Sequence, residues 1–124
     1  RVTEEGDGLY HLRDVIGPDE YHDHVDDNAF TNGMVAWHLR TALEVLDWLE
    51  TNAPARRAAL VERLRLTPDC LRRWADIAGR MCIHRRDDGL IEQFSGYFDR
   101  ADADIAVLRD PERRKSMQVI LGIE

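Results

Sequence analysis

The chain has 124 residues, 44% of them apolar, which is enough for one domain core and too many for a disordered tail. A formal charge of −7 and a pI of about 5.2 exclude a nucleic-acid binder that works by neutralising phosphates. No apolar run approaches the roughly 20 residues a membrane-spanning helix needs.

The acidic residues Asp14, Asp19, Glu20, Asp23, Asp26 and Asp27 crowd one stretch, while Arg56, Arg57, Arg63, Arg65, Arg72 and Arg73 occupy the middle. The arginine run alternates with apolar positions and reads as a solvated helix face. Two cysteines, Cys70 and Cys82, are too few for a zinc ribbon or a disulfide framework, so a reduced cytoplasmic protein is the expectation. No signal-peptide pattern is present, and the chain opens at Arg1 without a start methionine, as a fragment or a processed chain would.

Residues 1–16 read as irregular chain followed by an extended piece, with a turn at Gly6-Asp7-Gly8 and Tyr10, Leu12 and Ile16 on alternate positions. Residues 17–30 are polar and contain Gly and Pro, so they form a long loop. A helix follows from about Asn32 to Glu50, capped by Thr31 or Asn32. Val35, Leu39, Ala42, Leu46 and Leu49 make one stripe, and Met34, Trp37 and Val45 widen it, which suits an inner helix covered on more than one side. A second helix starts near Pro54 and runs through Leu64. The third starts at Thr67-Pro68-Asp69, turns Leu71, Trp74, Ile77 and Ala78 inward and stops near Gly79. Asp87-Asp88-Gly89 marks a turn between extended pieces, and Asp110-Pro111-Glu112 opens a last helix through Met117, Ile120 and Leu121.

The loop holds the main chemical candidate. Pro18 fixes its own φ and Gly17 admits conformations that other residues avoid, so together they can hold Glu20 at a defined angle, as a positioned general acid requires, and Asp19, Asp23 and burial beside Tyr21 would raise its pKa. Taken on spacing alone, Pro-Asp-Glu also reads as an acidic turn ahead of a helix.

The runs Ile16-Gly17-Pro18-Asp19-Glu20-Tyr21-His22 and Val25-Asp26-Asp27-Asn28-Ala29-Phe30-Thr31-Asn32 resemble the signature of glycoside hydrolase family 65, the maltose, trehalose and kojibiose phosphorylases and their hydrolytic relatives. Asp88-Gly89-Leu90-Ile91-Glu92-Gln93-Phe94 and Gly96-Tyr97-Phe98 resemble a second family segment. The resemblance implies an all-α fold, part of an (α/α)6 barrel, with residues 1–124 a fragment of the catalytic domain and 16–32 its acid-catalyst loop. It implies that Glu20 is the general acid of an inverting phosphorolysis: the acid protonates the leaving oxygen of an α-glucoside while phosphate attacks from the opposite face, giving β-glucose 1-phosphate. Hydrolytic members use a second carboxylate and water instead, and a non-catalytic helical binding module is a further alternative. Lys115 matches a sugar-contacting lysine of the family. Ser116 stands where the family has Gln, with Gln118 two positions on. Tyr21 and His22 join them as candidate substrate contacts. The implied partners are a disaccharide, inorganic phosphate as co-substrate, the rest of the barrel and, as often in the family, a second subunit; no other cofactor is implied.

His22, His24, Asp26 and Asp27 also invite a metal reading, because His-x-His in extended chain places both rings on one side, but no third partner at a typical spacing stands out and no metal is expected. Trp37, Trp48 and Trp74 sit at helical core spacing. Phe30, Tyr21 and Tyr97, read as loop residues, are better placed to stack on a sugar. His38 and His84 have no constellation and read as structural.

Overall fold

In the computed structural model the described residues are 1–19 and 22–101. The helix expected from Asp110 lies outside them. The chain begins with a hairpin, β1 (Val2–Glu4) and β2 (Tyr10–Leu12), paired antiparallel with Val2 opposite Leu12. Gly8 turns it with φ +78°, a conformation that favours glycine. All three residues of β2 are buried, so the expected alternation is not met: His11 is inside with its own polar partners, while Ile16 is 52% exposed.

Helix α1 (Ala29–Asn52) is about 36 Å long at 1.5 Å per residue and carries the packing of the other two helices. It starts three residues earlier than the periodicity suggests. Asn28, not Thr31 or Asn32, is the cap, its Oδ1 accepting from the Thr31 N–H at 3.1 Å. Asn32 is instead a buried cross-link: its Nδ2 donates to the Cys82 carbonyl at 2.8 Å and to Asp27 Oδ1 at 3.1 Å.

Ala53 ends α1, its N–H donating to the Leu49 carbonyl, and Pro54 opens α2 (Pro54–Leu64) at once. Arg65, in the left-handed region, closes α2. Thr67 caps α3 (Pro68–Arg80) by accepting from the Cys70 N–H at 3.2 Å, with Pro68 and Asp69 in the first turn as the sequence predicts. Ala36, Leu46, Leu49, Ile77 and Ala78 are buried along the helix contacts. Trp74 lines an open apolar groove of about 270 Å³ with Val45, Leu49, Leu60 and Leu64.

Two expectations about aromatic side chains need correction. Trp37 and Trp48 are 55% and 61% exposed rather than packed, because they fall with Phe30 and Met34 on a second stripe of α1, turned away from the face that carries Leu46 and Leu49. Phe30 lies in the first turn of α1 rather than in a loop. The arginine run is solvent-facing as read, with Arg57 half-buried.

After α3 the chain returns along the hairpin. The Cys82 N–H donates to the Tyr10 carbonyl, and Met81 forms a parallel bridge with Tyr10. Arg80 donates to Asp76, Glu4 and the Gly8 carbonyl, and the Tyr10 hydroxyl donates to Asp76 at 2.8 Å, which fixes the hairpin on the end of α3. Asp87-Asp88-Gly89 turns the next excursion, with Arg85 bridged to Ile91. A short 3-10 turn, Tyr97–Asp99, ends the described chain.

Candidate functional site

The loop between β2 and α1 is tied down from both sides. Val15 and Val25 form an antiparallel bridge with N–H···O distances of 2.9 and 3.0 Å, closing the loop around residues 16–24. The Asp27 N–H donates to the Leu12 carbonyl at 2.8 Å, and Asp26 Oδ1 accepts from the Asp14 N–H at 3.0 Å. Gly17 is required for a close approach rather than for an unusual backbone angle. A Cβ there would lie 2.3 Å from Asn28 Nδ2 and 2.8 Å from its Cγ, and Asn28 is fully buried and committed to capping α1. The Thr31 hydroxyl, donating to the Ile16 carbonyl, adds a third tie between loop and helix.

Beneath the loop lies a buried polar hub. Asp27, 1% exposed and at φ 52°, accepts from the Leu12 N–H and Asn32 Nδ2 with one oxygen. Its other oxygen takes His11 Nδ1 at 2.7 Å and Arg13 at 3.2 Å. His11, 3% exposed, has its second nitrogen 3.2 Å from Asp7. Burial opposes the charged forms of both groups, but the mutual bonds outweigh it: Asp27 is held below the usual carboxylate pKa and His11 above the usual imidazole value. Burial, with Asp27 nearby, pushes the Cys82 thiol up to about 11.

His11, Asp27 and Cys82 present donor atoms within 4.8 Å of one another, a spacing a metal ion could bridge. In this geometry both nitrogens of His11 face carboxylates and the Asp27 oxygens already accept four donors. The arrangement is that of a hydrogen-bonded hub. His84, read as structural and without a constellation, belongs to its edge, its Nε2 lying 3.7 Å from Asp27 and 3.5 Å from the Cys82 sulfur.

The sequence-predicted residues divide. Glu20, Tyr21, Lys115 and Ser116 lie outside the described residues. His22 is described: its Nδ1 bonds Asp19 Oδ2 at 3.0 Å and its ring packs 5.1 Å from that of Phe94. His24 turns elsewhere, to Asp14 at 2.6 Å, because its backbone is at φ 54° rather than extended. The His-x-His pair therefore does not converge. Tyr97 is 36% exposed and stands edge-on to Phe94. Gln93, which sequence reasoning met only as a motif letter, donates from Nε2 to Asp19 Oδ2 at 3.1 Å.

The same architecture occurs in a solved structure, provisionally named a kojibiose phosphorylase and from the human microbiome. It aligns with a TM-score of 0.75 at 25% identity over 97% of this chain and 17% of that one. The described fold is thus a piece of a larger helical catalytic domain, consistent with part of an (α/α)6 barrel. The chain belongs to glycosyl hydrolase family 65: residues 1–123 match its central catalytic domain. A kojibiose phosphorylase of Caldanaerobacter subterraneus subsp. tengcongensis is 38% identical over 94 residues, 75% of this chain and 12% of that protein. A nigerose phosphorylase of Lachnoclostridium phytofermentans is 34% identical over 106 residues, 84% of this chain and 14% of that protein. The chain therefore spans about an eighth of the length of these curated relatives.

Proposed function

We propose that this chain is a fragment of the catalytic barrel of a disaccharide phosphorylase that cleaves an α-glucosidic bond by inversion, with Glu20 as the general acid. The observation that carries the reading is family membership across residues 1–123 together with relatives that are named as phosphorylases of kojibiose and nigerose. The acid protonates the leaving sugar oxygen as inorganic phosphate attacks the anomeric carbon, so the products are β-glucose 1-phosphate and the freed sugar. Phosphate is the co-substrate and no further cofactor is invoked.

The described residues on either side of Glu20 support this reading. Its flanking residues, Asp19 and His22, are bonded to each other, and the loop is bridged at its neck by Val15 and Val25. Lys115 and Ser116 are assigned to sugar contact on the motif alone, with Ser116 a departure from the family's Gln. Tyr21 and His22 border the acid and complete the assignment. The isolated 124-residue chain is expected to be inactive, since the phosphate site is not among the assigned residues.

The test is Glu20→Gln in the full-length protein, assayed as phosphate-dependent release of glucose 1-phosphate from kojibiose, nigerose and other glucobioses. Loss of a general acid costs about 10²- to 10⁴-fold in turnover. Near-normal turnover in the variant, or cleavage by the wild type that does not need phosphate, overturns the reading.

A further inference from the structure

We infer that Gln93 is a positioning residue for the acid, an inference that rests on the function proposed above. Gln93 lies 74 positions from Asp19 in sequence, yet its side-chain amide donates to Asp19 Oδ2 at 3.1 Å. The same carboxylate oxygen is 3.0 Å from His22 Nδ1. Positions 19 and 22 bracket Glu20 and Tyr21. One side chain from a remote segment therefore holds the residue before the acid directly, and the residue after Tyr21 through it.

The segment that carries this amide is itself anchored. The Gln93 carbonyl accepts from the Ala29 N–H at 2.9 Å, and the Ser95 N–H donates to the Asp26 carbonyl at 2.9 Å. Gln93 thus stands with its backbone on the start of α1 and its side chain on the far part of the loop. Phe94, 1% exposed, packs its ring against His22 from the same side. An amide suits the position chemically. It donates to the carboxylate as a lysine would, but adds no charge beside the acid, and a glutamate there would repel Asp19.

A general acid works only at hydrogen-bond distance from the oxygen it protonates, and a displacement of about 1 Å can cost on the order of 100-fold in rate. The experiment uses two donors with the full-length enzyme. One is kojibiose or nigerose, whichever the wild type phosphorolyses, whose sugar leaving group needs the proton. The other is α-glucosyl fluoride, whose C–F bond breaks to give fluoride ion as the phosphate oxygen bonds to carbon, with little help from an acid. Gln93→Ala should lower kcat on the disaccharide about 10- to 100-fold and leave the phosphate KM unchanged, while turnover of the fluoride stays within about threefold of wild type. Equal losses on both donors, or no loss on either, overturn the inference. Glu20→Gln is run in parallel. If that variant also loses both donors equally, the proposed acid is wrong; if it keeps the contrast and Gln93→Ala does not, only the role of Gln93 falls. Should Gln93→Ala misfold, Gln93→Met, which keeps the length and removes the donor, carries the same comparison.

Discussion

Replacing Asp27 by alanine removes the acceptor on which the base of the loop converges. The Leu12 N–H at 3.1 Å and His11 Nδ1 at 2.7 Å both lose this partner in a site where Asp27 is 1% exposed and His11 3%. Asn32 keeps the Cys82 carbonyl at 2.8 Å, so its loss is partial. A buried donor left unpaired costs about 1–3 kcal/mol, and breaking a buried ion pair from one side about 3–5 kcal/mol, so a total of about 4–8 kcal/mol is expected. That is a large part of a typical domain's margin of about 5–15 kcal/mol. Asp27→Asn retains an oxygen for the Leu12 N–H and should cost less, about 1–2 kcal/mol. Urea unfolding of the full-length protein, followed by circular dichroism and by amide exchange at Leu12, measures both. An Asp27→Ala variant within about 0.5 kcal/mol of wild type would refute the view that this carboxylate organises the loop.

Gly17→Ala should destabilise by about 1–3 kcal/mol and depress turnover, because the new methyl meets an Asn28 side chain that cannot withdraw without uncapping α1; an unchanged melting temperature would contradict this. The His11–Asp27 pair also sets a pH window. His11 is raised above 6.5, so its contribution is complete below pH 6.5 and is lost as pH climbs through the raised value. Asp27 is lowered below 3.8, so its contribution is present above pH 3.8 and is lost as pH falls through the lowered value. The urea midpoint of the wild type should therefore decline above pH 6.5, and His11→Gln should flatten that decline; parallel profiles would argue against the pair. Cys82, buried with its thiol pushed up to about 11, should resist iodoacetamide in the native protein at pH 8 and react once urea unfolds it, as read by mass spectrometry.

Much of the helical layout was legible because its signals are local. Thr67, Pro68 and Asp69 announce α3 within three residues, and Pro54 does the same for α2. The start of α1 was misjudged because Asn28, Thr31 and Asn32 are all competent caps by residue type. What decides among them is that Asn32 is drawn inward by Asp27 and Cys82, the latter 50 positions away. The second apolar stripe of α1 was visible as excess width, but its exposure here depends on what this stretch of chain does not itself cover. Within the candidate site, the motif residues Asp19, His22 and Phe94 do come together. His11 and Gln93 were overlooked because their partners lie 16 and 74 positions away, a distance no spacing rule spans. A histidine inside an otherwise apolar strand, between Tyr10 and Leu12, was the one signal that something polar waited beneath.

The separation between Asp19 and Gln93 also has a consequence during synthesis. At roughly 5–20 residues per second, the 74 positions that separate them take about 4–15 s to translate, so the loop that carries Asp19 leaves the ribosome long before the side chain that holds it. The three helices, joined by short links, can pair as they emerge. The loop must wait for the segment beyond α3, so its tie to Gln93 closes only after the three helices have been made.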